Sequence, residues 1–371
     1  MNRLAAIGLG AFIAYAALYD YVQWGDIWHS GDFAALWSYG QVLRSDGAAA
    51  LYDPARLHTL QVALGLDPAD FNPFPYPPVF LLLVWPLGWL PFGAAFVLWT
   101  GVTLALFVAA CAGPGFRWAP LALVVPVTTV GIISGQSGFL AAALLLGGFR
   151  LLHRPWIAGL LFGLLTYKPQ LGILVPVALL ALGAWRVIGW TTLTAAVLAV
   201  LAIALFGGAV WAEWLSALPA YAASFAAKST RYELMPTVTA GLTMLGVPGV
   251  PVWQGLVSIV MAGLVWRAYR AGASPRALLI LTSATFLATP HAFVYDTPMV
   301  AGAAILWLAS LERVGWSAFG LLALVFALPP FMLWSPHVPL ALSMVLVPVL
   351  LLQERLKRER VRADIGGETL C

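Results

Sequence analysis

Charge is what this sequence has least of. Asp, Glu, Lys and Arg make up only 9% of its 371 residues, against roughly 25% in soluble domains, while 62% are hydrophobic and the mean hydropathy is +0.91. No water-soluble core absorbs that much apolar surface, so the solvent of this chain is a bilayer. Cysteine is nearly absent. Cys111 lies in an apolar run and Cys371 ends the chain. That excludes a disulfide framework and a cysteine metal site, both of which need clustered partners. A GxGxxG turn, a P-loop, paired metal-ligand spacing and a Ser/His/Asp arrangement are all missing, which argues against nucleotide-binding machinery. The pI near 9.2 does not point to nucleic acid. The basic residues stand singly between apolar runs, which is how topology signals are distributed.

What is present is a series of apolar runs. Spanning helices need about 20 residues. Twelve candidates are read at 4–22, 92–112, 118–134, 137–152, 156–167, 170–185, 188–207, 252–267, 277–289, 297–311, 316–331 and 338–352. The first resembles a signal peptide, but no small-residue cleavage site follows it, so it is expected to stay as a helix. Several others are short and must tilt little or sit in thinned bilayer. The expected fold is an all-α integral membrane bundle: one transmembrane domain over 1–354 and a basic cytoplasmic tail over 355–371.

The run at 79–90 decides the topology. It is short, Pro86 interrupts it, and runs of about 10–14 apolar residues tend to be re-entrant or interfacial. If it does not cross, both termini lie inside, together with fourteen of the nineteen basic residues. Arg44, Arg56, Lys168, Lys228 and Arg231 remain outside. The positive-inside rule favours this arrangement. The outer surface then consists of a long acidic loop (25–78), a second long loop (208–251) and the turns at Gly135-Gln136, Lys168-Pro169, Pro290–Asp296 and Pro336-His337. Polar groups at membrane depth line protein cavities rather than face lipid, so these turns are expected to converge.

The acidic loop holds Asp26, Asp32, Asp46, Asp53, Asp67 and Asp70. Within it, the spacing of Phe33, Leu36, Trp37, Tyr39 and Leu43 predicts an amphipathic interfacial helix over 32–43. A second short helix is predicted over 54–66. The segment Asn72-Pro73-Phe74-Pro75-Tyr76-Pro77-Pro78 cannot be helical, because each proline fixes its own φ and disfavours the helical region before it.

Asp32 can cap its helix, or it can take a proton from a hydroxyl group. Lys168, at an outer helix end, must find a phosphate, an acid or lipid headgroups. His291 can donate to a phosphate oxygen or serve structurally. Gln136 and Arg231 are further candidate contacts to a phosphate or sugar. Tyr76, Tyr295 and Trp211 are candidate substrate contacts.

Taken in order, the motifs Gly31-Asp32-Phe33, Leu51-Tyr52-Asp53, Phe74-Pro75-Tyr76-Pro77-Pro78, Gly135-Gln136, Tyr167-Lys168-Pro169 and Pro290-His291 with Tyr295-Asp296 resemble glycosyltransferase family 87, one of the GT-C membrane glycosyltransferases. The resemblance implies a GT-C-type helix bundle and a polyprenyl-phosphate sugar donor, with mannose the first candidate. It implies a catalytic aspartate at Asp32 and a histidine, His291, near the donor phosphate. Lys168, Gln136 and Arg231 would assist there. The acceptor is expected to be a lipid or glycan, and the site to lie outside a bacterial cytoplasmic membrane. No cofactor is expected. Phe33 follows Asp32 where an adjacent acidic pair would otherwise supply a metal site. The residues alone also permit a lipid-linked-sugar flippase, which would carry polar groups in mid-helix along a path.

Overall fold

A computed structural model describes residues 32–69, 71–112, 118–227 and 229–311, with scattered positions beyond. The expected spans at 4–22 and 338–352, most of 316–331, the 355–371 tail, and Asp26, Asp70, Lys228 and His337 fall outside the described residues. Every described element is helical.

Among the described residues three helices are long and apolar enough to cross a membrane: Phe92–Cys111, Trp185–Phe206 and Val250–Arg270. At 1.5 Å per residue each is about 30 Å long, the thickness of a hydrocarbon core. Only 11% of the latter two is buried. Their outward residues include Val197, Val200, Ile203, Val252, Ile259 and Val260. Apolar faces of this extent on isolated helices are lipid-facing surfaces.

The remaining apolar helices are shorter, because proline and glycine cut the runs. The predicted span at 118–134 is two pieces, Leu121–Val124 and Pro126–Ser134. The spans at 156–167 and 170–185 contract to Pro155–Leu164 and Val175–Leu182, with single 3₁₀ turns at Leu165–Tyr167 and Pro169–Gly172 between them. Gly138–Arg150, Pro275–Ala288 and Pro298–Ala309 form the centre of the bundle, buried along almost their whole length.

Helix directions follow from a few contacts. Arg150 Nη1 donates to the carbonyls of Ala109 and Ala110 at 2.9 and 2.8 Å, satisfying the open C-terminus of Phe92–Cys111. Those two helices therefore finish at the same end. A Cβ on Gly159 would strike Trp190 and one on Gly163 would strike Thr194, so Pro155–Leu164 and Trp185–Phe206 lie parallel at close range. The Phe149 and Tyr269 rings meet at 5.2 Å. Arg150, Arg154, Arg186, Arg267 and Arg270 thus gather at one end of the bundle. The turns holding Gly135, Lys168 and His291 occupy the other. This is the grouping that the charge bias predicts.

Two expectations about the loops change. The helix Asp32–Ser45 exists, but it is not an interfacial helix with one wet face. Phe33, Ala34, Ala35, Leu36, Ser38, Tyr39, Gly40, Val42 and Leu43 are all buried. The cause is the 79–90 run, which folds as the 3₁₀ turn Pro78–Phe80, the helix Leu81–Val84 and the 3₁₀ turn Trp85–Trp89 and packs against it. Gly40 and Gly88 bring the two backbones into contact, and a Cβ on either would overlap the other chain. Ala48–Tyr52 and Pro54–Ala63 follow, the latter capped by Asp53 Oδ1 accepting from Ala55 and Arg56 N–H.

The second long loop, 208–251, is mostly helical. It contains Val210–Ala227, the 3₁₀ turn Ser229–Leu234 and Val238–Met244. Val210–Ala227 braces the first loop: Trp214 Nε1 donates to Pro75 O at 3.1 Å and Tyr221 Oη to Leu51 O at 3.0 Å.

Candidate functional site

The proline-rich connector positions Tyr76. Its backbone has few N–H groups, and side chains satisfy its carbonyls. Gln61 donates to Asn72 O at 2.8 Å, Tyr39 to Pro73 O at 2.7 Å, Trp214 to Pro75 O and Tyr52 to Tyr76 O at 3.2 Å. Tyr76 itself is buried between Phe74 and Phe80, and Phe80 stacks on Tyr167 at 5.1 Å. This aromatic row carries the first loop to the end of Pro155–Leu164, where Lys168 stands.

Lys168 is buried, and its Nζ lies 2.5 Å from Asp296 Oδ1. The two side chains are 4% and 0% exposed, so this is a closed ion pair and not a surface bridge. The other carboxylate oxygen, Asp296 Oδ2, accepts from Phe293 N–H at 3.1 Å and fixes the Val294–Asp296 turn. The ammonium also lies 5.1 Å from the centre of the Tyr295 ring, a cation–π contact. Tyr295 stacks on Phe293, and Phe293 meets the His291 ring edge-on at 5.2 Å. Lys168, Tyr295, Phe293 and His291 therefore form one continuous file.

The Gly135–Gly138 turn closes the site from beneath. Gly135 is left-handed, at φ +58°, and a side chain there would collide with Phe33. A Cβ on Gly138 would overlap the Tyr295 carbonyl oxygen. Tyr167 Oη donates to Ser137 O at 2.9 Å. Ser137 Oγ is buried without a hydrogen-bond partner of good geometry among the described residues, although the Tyr76 and Tyr167 hydroxyls lie within its influence. Gln136 is buried, and its Oε1 accepts from Ser137 N–H at 3.4 Å.

Asp32 opens the helix Asp32–Ser45 and is partly buried. Phe33 beside it packs edge-on against Phe92 and Phe96 at 5.5 and 5.2 Å. Burial raises the Tyr76 hydroxyl well above its ordinary pKa, and the Asp296 and Asp32 carboxylates push it further. Tyr295 likewise sits in the field of Asp32 and Asp296. The contact of Gly135 with Phe33 and of Gly138 with the Tyr295 carbonyl brings the start of Asp32–Ser45 to the same end of the bundle as Tyr295 and the Lys168–Asp296 pair, from segments more than 250 residues apart in sequence.

The site is recessed. Gly138–Arg150 is about 10 Å shorter than Phe92–Cys111 by helix rise, and Arg150 joins the two at their shared end. The Gly135–Ser137 turn therefore lies below the Phe92 end of the longer helix. Charges interact more strongly at such a depth than in bulk water.

Other predicted site residues are placed differently. Of the partners the sequence allows Lys168, the structure shows an acid, Asp296. Asp296 is the residue that sequence reasoning left out of the site. Two ionisable groups in a chain so poor in charge, each inside an apolar stretch, were the available signal. Trp211 meets Trp214 edge-on at 5.7 Å and packs on the core, and its Nε1 is buried without a partner among the described residues. It is not among the contacts of the Lys168–Asp296 pair. The backbone of Arg231 lies in Ser229–Leu234, and its side chain is outside the described residues.

The sequence matches glycosyltransferase family 87 over residues 74–290. The match takes in Tyr76, Gln136, Lys168 and Trp211, begins after Asp32 and ends before His291. No curated protein and no solved structure matches the chain. The match covers more than half of the 371 residues, and the chain belongs to glycosyltransferase family 87.

Proposed function

We propose that this membrane glycosyltransferase moves a sugar, mannose foremost, from a polyprenyl-phosphate donor to a hydroxyl of a lipid or glycan acceptor. Transfer takes place on the outer face of a bacterial cytoplasmic membrane, with both termini inside. The observation that carries the reading is the buried Lys168–Asp296 pair, with the Tyr295 ring against its ammonium and the Phe293 and His291 rings beyond, at the end of the bundle where the start of the Asp32 helix meets the Gly135 turn. A lipid-linked donor suits a recessed site surrounded by lipid-facing helices and lacking a nucleotide-binding motif. The gathering of five arginines at the opposite end of the bundle supports the orientation.

Asp32 takes the proton from the acceptor hydroxyl as it attacks the anomeric carbon. Attack comes from the face opposite the phosphate, so the anomeric configuration inverts. The bond to the phosphate oxygen breaks, and polyprenyl phosphate leaves. His291, Gln136 and Arg231 are the groups we assign to the departing phosphate. Lys168, paired with Asp296, holds the Tyr295 ring in place and lies at the same end of the bundle as the groups assigned to the phosphate. Tyr76 and Tyr295 supply walls against the sugar. The chemistry assigned to these residues uses no cofactor.

A flippase would carry its polar groups in mid-helix. Lys168 instead joins two 3₁₀ turns and Asp296 ends a third, all at helix ends, which favours the enzyme. The test is to incubate purified protein with a panel of polyprenyl-phosphate sugars and a membrane lipid extract, then identify products by mass spectrometry. Glycosylated product from polyprenyl-phosphate mannose is expected. Lipid translocation in proteoliposomes with no product from any donor would overturn the reading.

A further inference from the structure

At the arginine end of the bundle, remote from the site above, a groove of about 450 Å³ opens on the side of the bundle. It is lined by Pro155, Trp156, Leu160, Arg186, Trp190 and Thr194. The parallel helices Pro155–Leu164 and Trp185–Phe206 form its walls. Gly159 and Gly163 draw the two helices together, so the groove follows the line of contact between them.

Its two ends differ in chemistry. At the mouth, Arg186 is exposed and makes no ion pair or side-chain hydrogen bond among the described residues, and the same holds for Arg154 one residue before Pro155. Arg150 is not available, since the Ala109 and Ala110 carbonyls engage it. From Arg186 to Thr194 the groove extends about 12 Å along the helix axis, past the exposed apolar surfaces of Leu160 and Trp190. Trp156 and Trp185 are also exposed at the arginine end, where tryptophan marks the headgroup level. A cationic mouth leading into an apolar trough on a lipid-facing surface matches one kind of molecule: an anion with an acyl chain attached.

We propose that this groove is a binding site for an anionic phospholipid, with the phosphate at Arg186 and Arg154 and an acyl chain along Leu160, Trp190 and Thr194. Free phosphate would leave the trough empty, and a zwitterionic lipid would bring a second cation to the arginines. The polyprenyl-phosphate donor is excluded as the intended occupant because the groove lies at the end of the bundle opposite Asp32. A bound lipid here would tie the helix Pro155–Leu164, which leads to Lys168, to the inner leaflet.

The test uses the full chain in nanodiscs made from equal parts of phosphatidylglycerol and phosphatidylcholine, extracted into mild detergent and examined by native mass spectrometry. The wild type is expected to retain phosphatidylglycerol preferentially. Arg186→Gln should lower that preference about fivefold, and Arg154→Gln with Arg186→Gln about 25-fold, from the usual contribution of a basic residue near an anionic leaflet. Trp190→Ala should weaken retention of both lipids. Because Arg154 and Arg186 are exposed, these variants keep the fold, which an unchanged melting temperature in detergent would verify. An unaltered lipid ratio in the double variant would overturn the proposal. So would displacement of phosphatidylglycerol by added polyprenyl phosphate, or equal retention of the two phospholipids by the wild type. None of these outcomes depends on glycosyl transfer.

Discussion

Breaking the Lys168–Asp296 pair should damage the protein more than any surface change, and the structure gives the size of the effect. Asp296→Ala leaves an ammonium buried without its counter-ion. Removing one member of a buried pair costs about 3–5 kcal/mol. The alanine also takes away the acceptor of Phe293 N–H, which adds about 1–3 kcal/mol if that donor stays buried. Asp296→Asn keeps an acceptor for Phe293 and should cost less than Asp296→Ala, though still about 3 kcal/mol or more. Lys168→Met leaves the carboxylate with only the Phe293 N–H and should fall in the same range. The double variant Lys168→Met, Asp296→Leu removes both charges together. An apolar pair of similar volume often replaces a buried ion pair at little cost, so the double should lose less than either single change. Reversible unfolding in mixed micelles, monitored by circular dichroism, supplies the double-mutant cycle. Additive losses, or single variants costing less than about 1 kcal/mol, fall below the range for a buried pair and would refute the view that this pair fixes the site.

Gly138→Ala should push the Tyr295 carbonyl away and cost about 1–3 kcal/mol, with transfer activity falling further than thermal stability. Arg150→Gln uncaps Phe92–Cys111 and should lower stability by about 1 kcal/mol, while turnover persists because Arg150 lies at the end away from the site. Trp214→Phe and Tyr221→Phe each remove one bond to the first loop, worth about 1 kcal/mol. Amide hydrogen exchange over 48–78 should rise in both variants, and unchanged protection there would count against the bracing role of Val210–Ala227.

Much of this arrangement was legible in the sequence. The helices at Phe92–Cys111 and Trp185–Phe206 are uninterrupted apolar runs of bilayer length, which no soluble alternative explains. The separation of Arg150, Arg154 and Arg186 from Lys168 follows from where single charges fall between runs. The rule that polar turns converge brought Gly135-Gln136, Lys168 and Tyr295-Asp296 to one end of the bundle. The short helix expected over 54–66 forms as Pro54–Ala63, with Asp53 as its cap.

What could not be read has physical causes. The pairing of Lys168 with Asp296 spans 128 positions, and no periodicity connects two turns at that separation. Burial of Asp32–Ser45 depends on its contact with Gly88, which is a tertiary event. Val210–Ala227 reads as loop because Glu213, Ser216 and Pro219 interrupt its apolar pattern, yet Trp214 and Tyr221 find carbonyl partners only when it is helical. Trp211 is a candidate substrate contact by sequence and packs on the core beside Trp214 in the fold, which depends on the helical form of Val210–Ala227.

The most direct test of the account is turnover by Asp32→Asn, measured with labelled polyprenyl-phosphate sugar in membranes, alongside donor binding by the same protein. The substitution keeps the side chain's size and removes its ability to take a proton. Transfer is predicted to fall roughly 10²–10⁴-fold, the usual share of a general base, with donor binding unchanged. Full turnover by Asp32→Asn would contradict the assignment of Asp32 as the base.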